Sequence, residues 1–196
     1  MQEVIRVLSE KDAILQSIVT HYGTPVIQKR EEGFAALCHI ILEQQVSIAS
    51  AKACYEKIQT HLGTVTPTTI DQVTAEDLRS WGVSRQKIGY LKNLAQKVLL
   101  KEVVFESWAS KTEQTIRAEL LQLKGIGHWT IDVYLMFCLQ SPDVIPLGDI
   151  AIKNTIKELY DIHTPEAMEE LATQWKPHRT MASYILWHYY LKKRNK

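Results

Sequence analysis

Apolar residues recur along this chain at spacings of three and four, and no run alternates convincingly with period two, so the pattern predicts an all-α fold. Residues 10–21 form a first helix, and Thr24-Pro25 breaks the pattern after it. Phe34, Leu37, Cys38, Ile41 and Leu42 mark a second apolar face, interrupted at Gln44-Gln45. Ser47 opens a third helix over 47–61, which Gly63 closes. Thr66-Pro67 and Thr74 open short helices, with Asp71 and Glu76 near their starts. Ser84 caps a long helix reaching about Leu100. After an irregular 140–148 segment come helices at about 150–160, from Thr164-Pro165 onward, and at about 178–193 beyond Pro177. There is no internal repeat and no low-complexity segment.

Between those helices lies the stretch with the most chemical content, LKGIGHWTIDVYLMFCLQSPDVIPLGD, from Leu123 to Asp149. The segment 112–123 has helical spacing at Ile116, Leu120, Leu121 and Leu123, with Thr112 as N-cap and Glu113 in the first turn. Gly125 stops this helix by accepting a left-handed backbone. Gly127 permits a second tight turn, and a new helix starts at about His128, carrying Trp129, Val133, Met136 and Phe137. A turn that opens a helix presents unpaired N–H groups and the positive end of the helix dipole, which together suit a phosphate. A short glycine-containing connection between helices is also common for purely structural reasons. Asp149 precedes another helical pattern, and by position alone it is a simple N-cap.

Composition narrows the class. At 196 residues and 45% hydrophobic content, the chain can build one domain, or one domain with two lobes. No apolar run reaches membrane-spanning length and no signal peptide opens the chain. Cys38, Cys54 and Cys138 are scattered and odd in number, which suits a reducing cytoplasm and cannot supply a four-cysteine iron–sulfur cluster. His21, His39, His61, His128, His163, His178 and His188 show no metal-like spacing, so no catalytic metal is expected. Net charge is only +1, but it is segregated. Arg79, Arg85, Lys87, Lys92, Lys97 and Lys101 lie in an acid-free run, as do Lys176, Arg179, Lys192, Lys193, Arg194 and Lys196, while acids gather at Glu166, Glu169 and Glu170. Such runs attract phosphates or are merely solvated surface.

LKGIGHWT followed by Asp149 in DVIPLGDIAIK resembles the helix-hairpin-helix (HhH-GPD) superfamily of DNA glycosylases, in its bacterial 3-methyladenine DNA glycosylase II branch. ILEQQVSIASAKA (41–53), WGVSRQKIGYLKNLA (81–95) and WKPHRTMASYILWHYY (175–190) resemble further parts of that family, and the likeness covers about residues 31–196. Asp149 falls 20 positions after Trp129, the spacing that branch leads one to expect. Larger members carry an additional N-terminal β-rich domain, whereas this chain starts near the helical core. The resemblance implies a two-lobed helical fold with a cleft between lobes: one lobe from about 1–33 with 142–196, the other from about 34–141, with the hairpin at 121–130.

It also implies roles. Asp149 would be the catalytic carboxylate facing C1′ of a flipped nucleotide, stabilising the positive charge that develops on the sugar. Bifunctional members carry a Schiff-base lysine where this chain has Trp129, and Lys124 sits before the first glycine, so a monofunctional enzyme without strand cleavage is expected. Trp129 and Trp187, with Tyr134 as a weaker candidate, would line the base pocket, where an indole face attracts a cationic alkylpurine by about 0.5–2 kcal/mol. Gln45, adjoined by Gln44, would wedge into the gap left by the flipped base. Lys124, Gly125, Ile126, Gly127, His128 and Thr130 would form the phosphate-binding hairpin. Carbonyls of Leu121, Leu123 and Ile126 would hold a sodium or potassium ion bridging to phosphate. The partner is duplex DNA containing damaged bases, the chain acts as a monomer, and its place is the bacterial cytoplasm at the nucleoid. Arg179 is expected to brace the lobes or Asp-rich loops rather than to read bases.

Two other readings remain at this point. A glycosylase for uracil, hypoxanthine or mismatched thymine would need specific hydrogen-bonding groups for a neutral, poorer leaving group. A noncatalytic helix-hairpin-helix protein that binds bent or damaged DNA would not need Asp149.

Overall fold

The computed structural model describes residues 1–194; Lys196 of the terminal basic run lies outside them. All regular structure among the described residues is helical. The chain forms two compact units, one from residues 1–29 with 135–196 and one from residues 30–134.

The unit built from both chain ends contains α1 (Gln2–Lys11), α2 (Ala13–Tyr22), α10 (Ile150–Tyr160), α11 (Pro165–Thr173) and α12 (Arg179–Arg194). Leu8, Leu15, Ile18, Ile152, Ile156, Met168, Trp175, Ile185 and Leu186 form its core. The helix expected over 10–21 is α2, which begins at Ala13, and a further helix that the sequence reading did not expect, α1, precedes it with the break at Asp12. Its Oδ1 accepts the N–H groups of Ile14 and Leu15, which caps α2. Its Oδ2 accepts Trp175 Nε1 and Tyr160 Oη, each at 2.8 Å. A buried carboxylate with four donors thus joins the first helices to the last ones.

The other unit contains α3 (Phe34–Glu43), α4 (Ile48–Leu62), α5 (Pro67–Gln72), α6 (Ala75–Ser80), α7 (Arg85–Leu99), a 3-10 turn at Phe105–Ser110, α8 (Glu113–Leu121) and the start of α9 (His128–Phe137). α3 is central, with Phe34, Leu37, Cys38, Ile40, Ile41 and Leu42 all buried. Ser47, Thr66, Thr74, Ser84 and Thr112 each cap a helix as the sequence predicts, by accepting a first-turn backbone N–H.

The basic run 78–101 is less available than its charge suggests. Lys87 Nζ donates to the Leu42 carbonyl at 2.7 Å, at the end of α3. Lys92 Nζ closes the end of α5 on the Asp71 and Val73 carbonyls, and Lys97 pairs with Glu102. Lysines at helix C-termini satisfy orphan carbonyls and oppose the dipole. Arg79, Arg85 and Lys101 are the exposed members.

Candidate active site

The hairpin joins α8 to α9. Leu123 and Ile126 turn inward, each 6% exposed, and Ile126 N–H donates to the Leu123 carbonyl at 3.1 Å to close the turn. That carbonyl keeps a second lone pair. Gly125 has φ +82, and a Cβ there would lie 2.3 Å from the Tyr90 ring of α7. Both backbone conformation and packing therefore require glycine at 125. Gly127 differs: it lies outside the left-handed region, and a Cβ there would meet nothing within 4 Å. The second tight turn expected at Gly127 does not need a glycine, and what glycine provides there is an open approach to the backbone.

Ile131 N–H donates to the Gly127 carbonyl, so α9 begins directly after Gly127 and its first-turn N–H groups have no intrahelical acceptor. Lys124, Gly127 and His128 are exposed. Thr130 is 2% exposed, and its hydroxyl accepts Gln44 Nε2 at 2.9 Å; its side chain belongs to the interior rather than to a phosphate-facing surface. Ile126 is likewise an anchor. Arg117 of α8 bonds Asp132 of α9 at 2.6 Å and Glu113 at 2.9 Å, bracing the two hairpin helices. Burial pushes the Asp132 carboxyl up, against the pull of Arg117.

The turn between α3 and α4 separates the two glutamines. Gln44 Nε2 donates to the Gly125 carbonyl and to Thr130 Oγ1, both at 2.9 Å, so Gln44 fastens the hairpin to α3 instead of projecting as a wedge. Gln45 is exposed with φ +55, a strained backbone for a side chain with a Cβ. Val46 and Ile48 beside it are 47% and 66% exposed. The protruding element is thus Gln45 flanked by aliphatic side chains.

In the other unit Asp149 is the N-cap of α10, with Oδ1 accepting Ala151 and Ile152 N–H at 2.9 and 3.1 Å. A third donor reaches the same oxygen: Trp187 Nε1, from α12, at 3.0 Å. A cap alone needs no indole. The Trp187 ring lies over Phe137, with centroids 5.8 Å apart and planes 30° from parallel, and Tyr184 adjoins both rings. Asp149, Phe137 and Trp187 are all partly exposed, and Ile150, next to Asp149 in the chain, is 65% exposed. The result is a carboxylate of fixed orientation at the edge of an aromatic platform. Sequence reasoning missed Phe137 as part of this platform, because it reads there as one more apolar helix position.

A family model for the HhH-GPD superfamily base excision DNA repair protein matches residues 38–178. The chain belongs to this superfamily. It is 28% identical over 190 residues to the alkylbase DNA glycosidase-like protein mag2 of Schizosaccharomyces pombe, covering 92% of this chain and 89% of that one. It is 26% identical to the putative DNA-3-methyladenine glycosylase YfjP of Bacillus subtilis, spanning 85% of this chain but 62% of the relative. Among solved structures, the Schizosaccharomyces pombe 3-methyladenine DNA glycosylase Mag1 in complex with abasic DNA superposes with a TM-score of 0.86 at 25% identity, over 94% of this chain and 95% of that one. The relatives include yeast proteins, which widens the bacterial setting expected from sequence.

Within this HhH-GPD chain one expected pocket residue is displaced. Tyr134 is 0% exposed. Its hydroxyl accepts Gly33 N–H at 2.7 Å, and its ring meets Trp108 edge to face at 5.5 Å. It is a core residue, because α9 turns this position toward the 3-10 segment. Trp129 is half-buried in the first turn of α9. Cys38 and Cys138 are buried and Cys54 partly so; burial pushes the Cys38 thiol up. No described helix is long and apolar enough to cross a membrane.

Proposed function

We propose that this chain is a monofunctional DNA glycosylase that releases alkylated purines, of the 3-methyladenine and 7-methylguanine type, from duplex DNA in base-excision repair. The observation that carries the reading is the Asp149 carboxylate held by Trp187 Nε1 at 3.0 Å beside the Phe137–Trp187 platform. Similarity to relatives named as alkylbase and 3-methyladenine glycosylases supports the substrate class.

The chemistry follows from charge. An N3- or N7-alkylated purine is cationic, so it is attracted to an electron-rich indole face and leaves readily without a strong general acid. As the bond from the base nitrogen to C1′ breaks, its electron pair neutralises the departing base and positive charge appears on the sugar. The Asp149 carboxylate stabilises that charge and orients a water. The water oxygen bonds C1′, its proton passes to the carboxylate or solvent, and an abasic site is left in an intact strand. With Trp129 where bifunctional relatives have lysine, no amine is available there for a Schiff base. Gln45 fills the gap in the duplex, and the Lys124–His128 backbone grips phosphate. The neutral carbonyls of Leu121, Leu123 and Ile126 suit an alkali cation, sodium or potassium, which would add positive charge at the hairpin. No iron–sulfur cluster takes part, and the chain acts as a monomer.

The test is base release from duplex DNA treated with a methylating agent, in EDTA, with chromatographic separation of products. Free 3-methyladenine or 7-methylguanine, with the strand uncut until alkali is added, is the expected result. Tight DNA binding with every methylated base retained would overturn it, and duplexes containing uracil or hypoxanthine would then identify another lesion.

A further inference from the structure

Residues 140–149 form an irregular segment whose backbone groups need partners from elsewhere, and α12 supplies them. Arg179 Nε and Nη2 grip the two carboxylate oxygens of Asp143 at 2.8 and 2.9 Å. The same Nη2 reaches the Asp143 carbonyl at 2.9 Å, and Arg179 N–H donates to Asp143 Oδ1 at 3.2 Å. Thr180 Oγ1 donates to the Ser141 carbonyl at 2.7 Å and accepts Val144 N–H at 2.9 Å. Thr180 N–H donates to the Pro142 carbonyl at 3.2 Å. Ser183 Oγ lies 3.4 Å from the Val144 carbonyl. Trp187 then holds Asp149 itself.

Arg179, Ser183 and Trp187 are spaced i, i+4 and i+8, which is one face of one helix. We propose that this face of α12 is a rail that sets the position of the Asp149 carboxylate, and that Arg179 is a positioning residue acting on Asp149 through Asp143. The inference rests on the catalytic role proposed for Asp149. A partly exposed ion pair contributes little to stability, yet a two-pronged guanidinium–carboxylate contact fixes direction. Two anchored points, Asp143 and Asp149, leave the intervening chain little freedom, as Asp149 N–H is also bonded to the Pro146 carbonyl at 2.8 Å.

The experiment uses the full chain with Arg179→Ala, Arg179→Lys, Asp143→Ala and the Arg179→Ala/Asp143→Ala double variant. The first readout is hydrogen exchange of the Trp187 indole N–H by NMR, its signal identified by its loss in Trp187→Phe. The expected result is faster exchange at Trp187 in both alanine variants, with the Trp81, Trp108, Trp129 and Trp175 indoles unchanged. The second readout is single-turnover release of 7-methylguanine. Each single variant should slow it on the order of 10- to 100-fold, the size a small misplacement of a reacting group produces. The double variant should be no slower than the worse single one, and DNA affinity should hold. Arg179→Lys should recover part of the rate, and it carries the test if alanine prevents folding. Unchanged Trp187 exchange overturns the rail, as does a lowered melting temperature with the rate of the folded enzyme intact. Weaker DNA binding, with a salt dependence reduced by about one phosphate contact, would make Arg179 a DNA ligand instead. If the wild-type chain releases no base, the glycosylase reading fails, and the indole exchange still decides the geometry of the rail.

Discussion

The hairpin at 123–130 and the segment at 141–149 both link helices, but they are held to different degrees by the rest of the chain. The hairpin takes its turn from its own residues, since Leu123 and Ile126 anchor it and Gly125 adopts the left-handed backbone, and a single distant side chain, Gln44, ties it to α3. What it offers outward is backbone, beside a glycine that the fold does not need. The 141–149 segment has its polar groups tied by side chains some 36 to 39 residues later in the chain. What it offers is one carboxylate in one orientation. A generic cradle of N–H groups suits phosphate binding, whereas stabilising charge at a single carbon demands a fixed oxygen, and the proposed catalytic carboxylate sits on the segment with the denser side-chain scaffolding.

The largest expected effect separates the two regions by function. Asp149→Asn keeps an oxygen for the cap but loses the charge, so base release should fall by about 10²–10⁴, while a gel-shift assay finds DNA affinity retained. Equal activity in that variant would remove Asp149 from the mechanism. Within the hairpin, the two glycines should part company. Gly125→Ala meets both the Tyr90 ring and a positive φ, and should lower stability by about 1–3 kcal/mol in a denaturant titration. Gly127→Ala should stay within roughly 0.5 kcal/mol of wild type yet bind duplex DNA more weakly. If instead Gly127→Ala unfolds the protein and leaves binding alone, the open-approach reading of that position is wrong.

The adjacent glutamines sharpen the same contrast. Gln44→Ala leaves the Gly125 carbonyl short of a donor and should cost about 1–3 kcal/mol. Gln45→Gly relieves a left-handed residue and should raise stability by up to about 1 kcal/mol, while the proposed wedge role of Gln45 requires that base release slow. Opposite signs of stability and activity in the second variant are the diagnostic outcome.

The smallest effect is expected from pH. His39 on α3 stacks on Tyr55 at 4.3 Å and faces Glu43, which Arg30 holds by two bonds. Burial lowers its pKa, with Glu43 opposing and Arg30 assisting. Its folded value therefore lies below the unfolded value of about 6.5. The associated stability is complete above that unfolded value and is lost as pH falls through the depressed folded one. Mild acid should loosen α3 and the hairpin it supports, seen as faster backbone exchange there, and His39→Gln should flatten the dependence. The rail should be spared: burial of Asp143 raises its pKa, but its bonds to Arg179 outweigh this and hold it below the usual carboxylate value, so it stays charged throughout that range.

Much of this was legible in the chain. Caps at Ser47, Thr66, Thr74, Ser84 and Thr112 are local signals, and each is formed where the spacing puts it. Asp12 was missed because a cap between two abutting helices looks like one polar position in a longer helix. Tyr134 and Thr130 misled because helical periodicity tells which residues share a face, not which neighbour that face meets. The lysines of the 78–101 run show the same limit, since a charge count does not reveal that a carbonyl waits at the end of another helix.

By itself the sequence determined the all-helical architecture, the glycine that Gly125 must be, and the family to which the chain belongs, because these depend on backbone preference and on short-range pattern. Tertiary structure decided which of two adjacent glutamines is anchored and which protrudes, and it decided that the indole of Trp187 donates to Asp149. Those are contacts between residues distant along the chain, and only the packing of helices brings such groups within hydrogen-bonding distance.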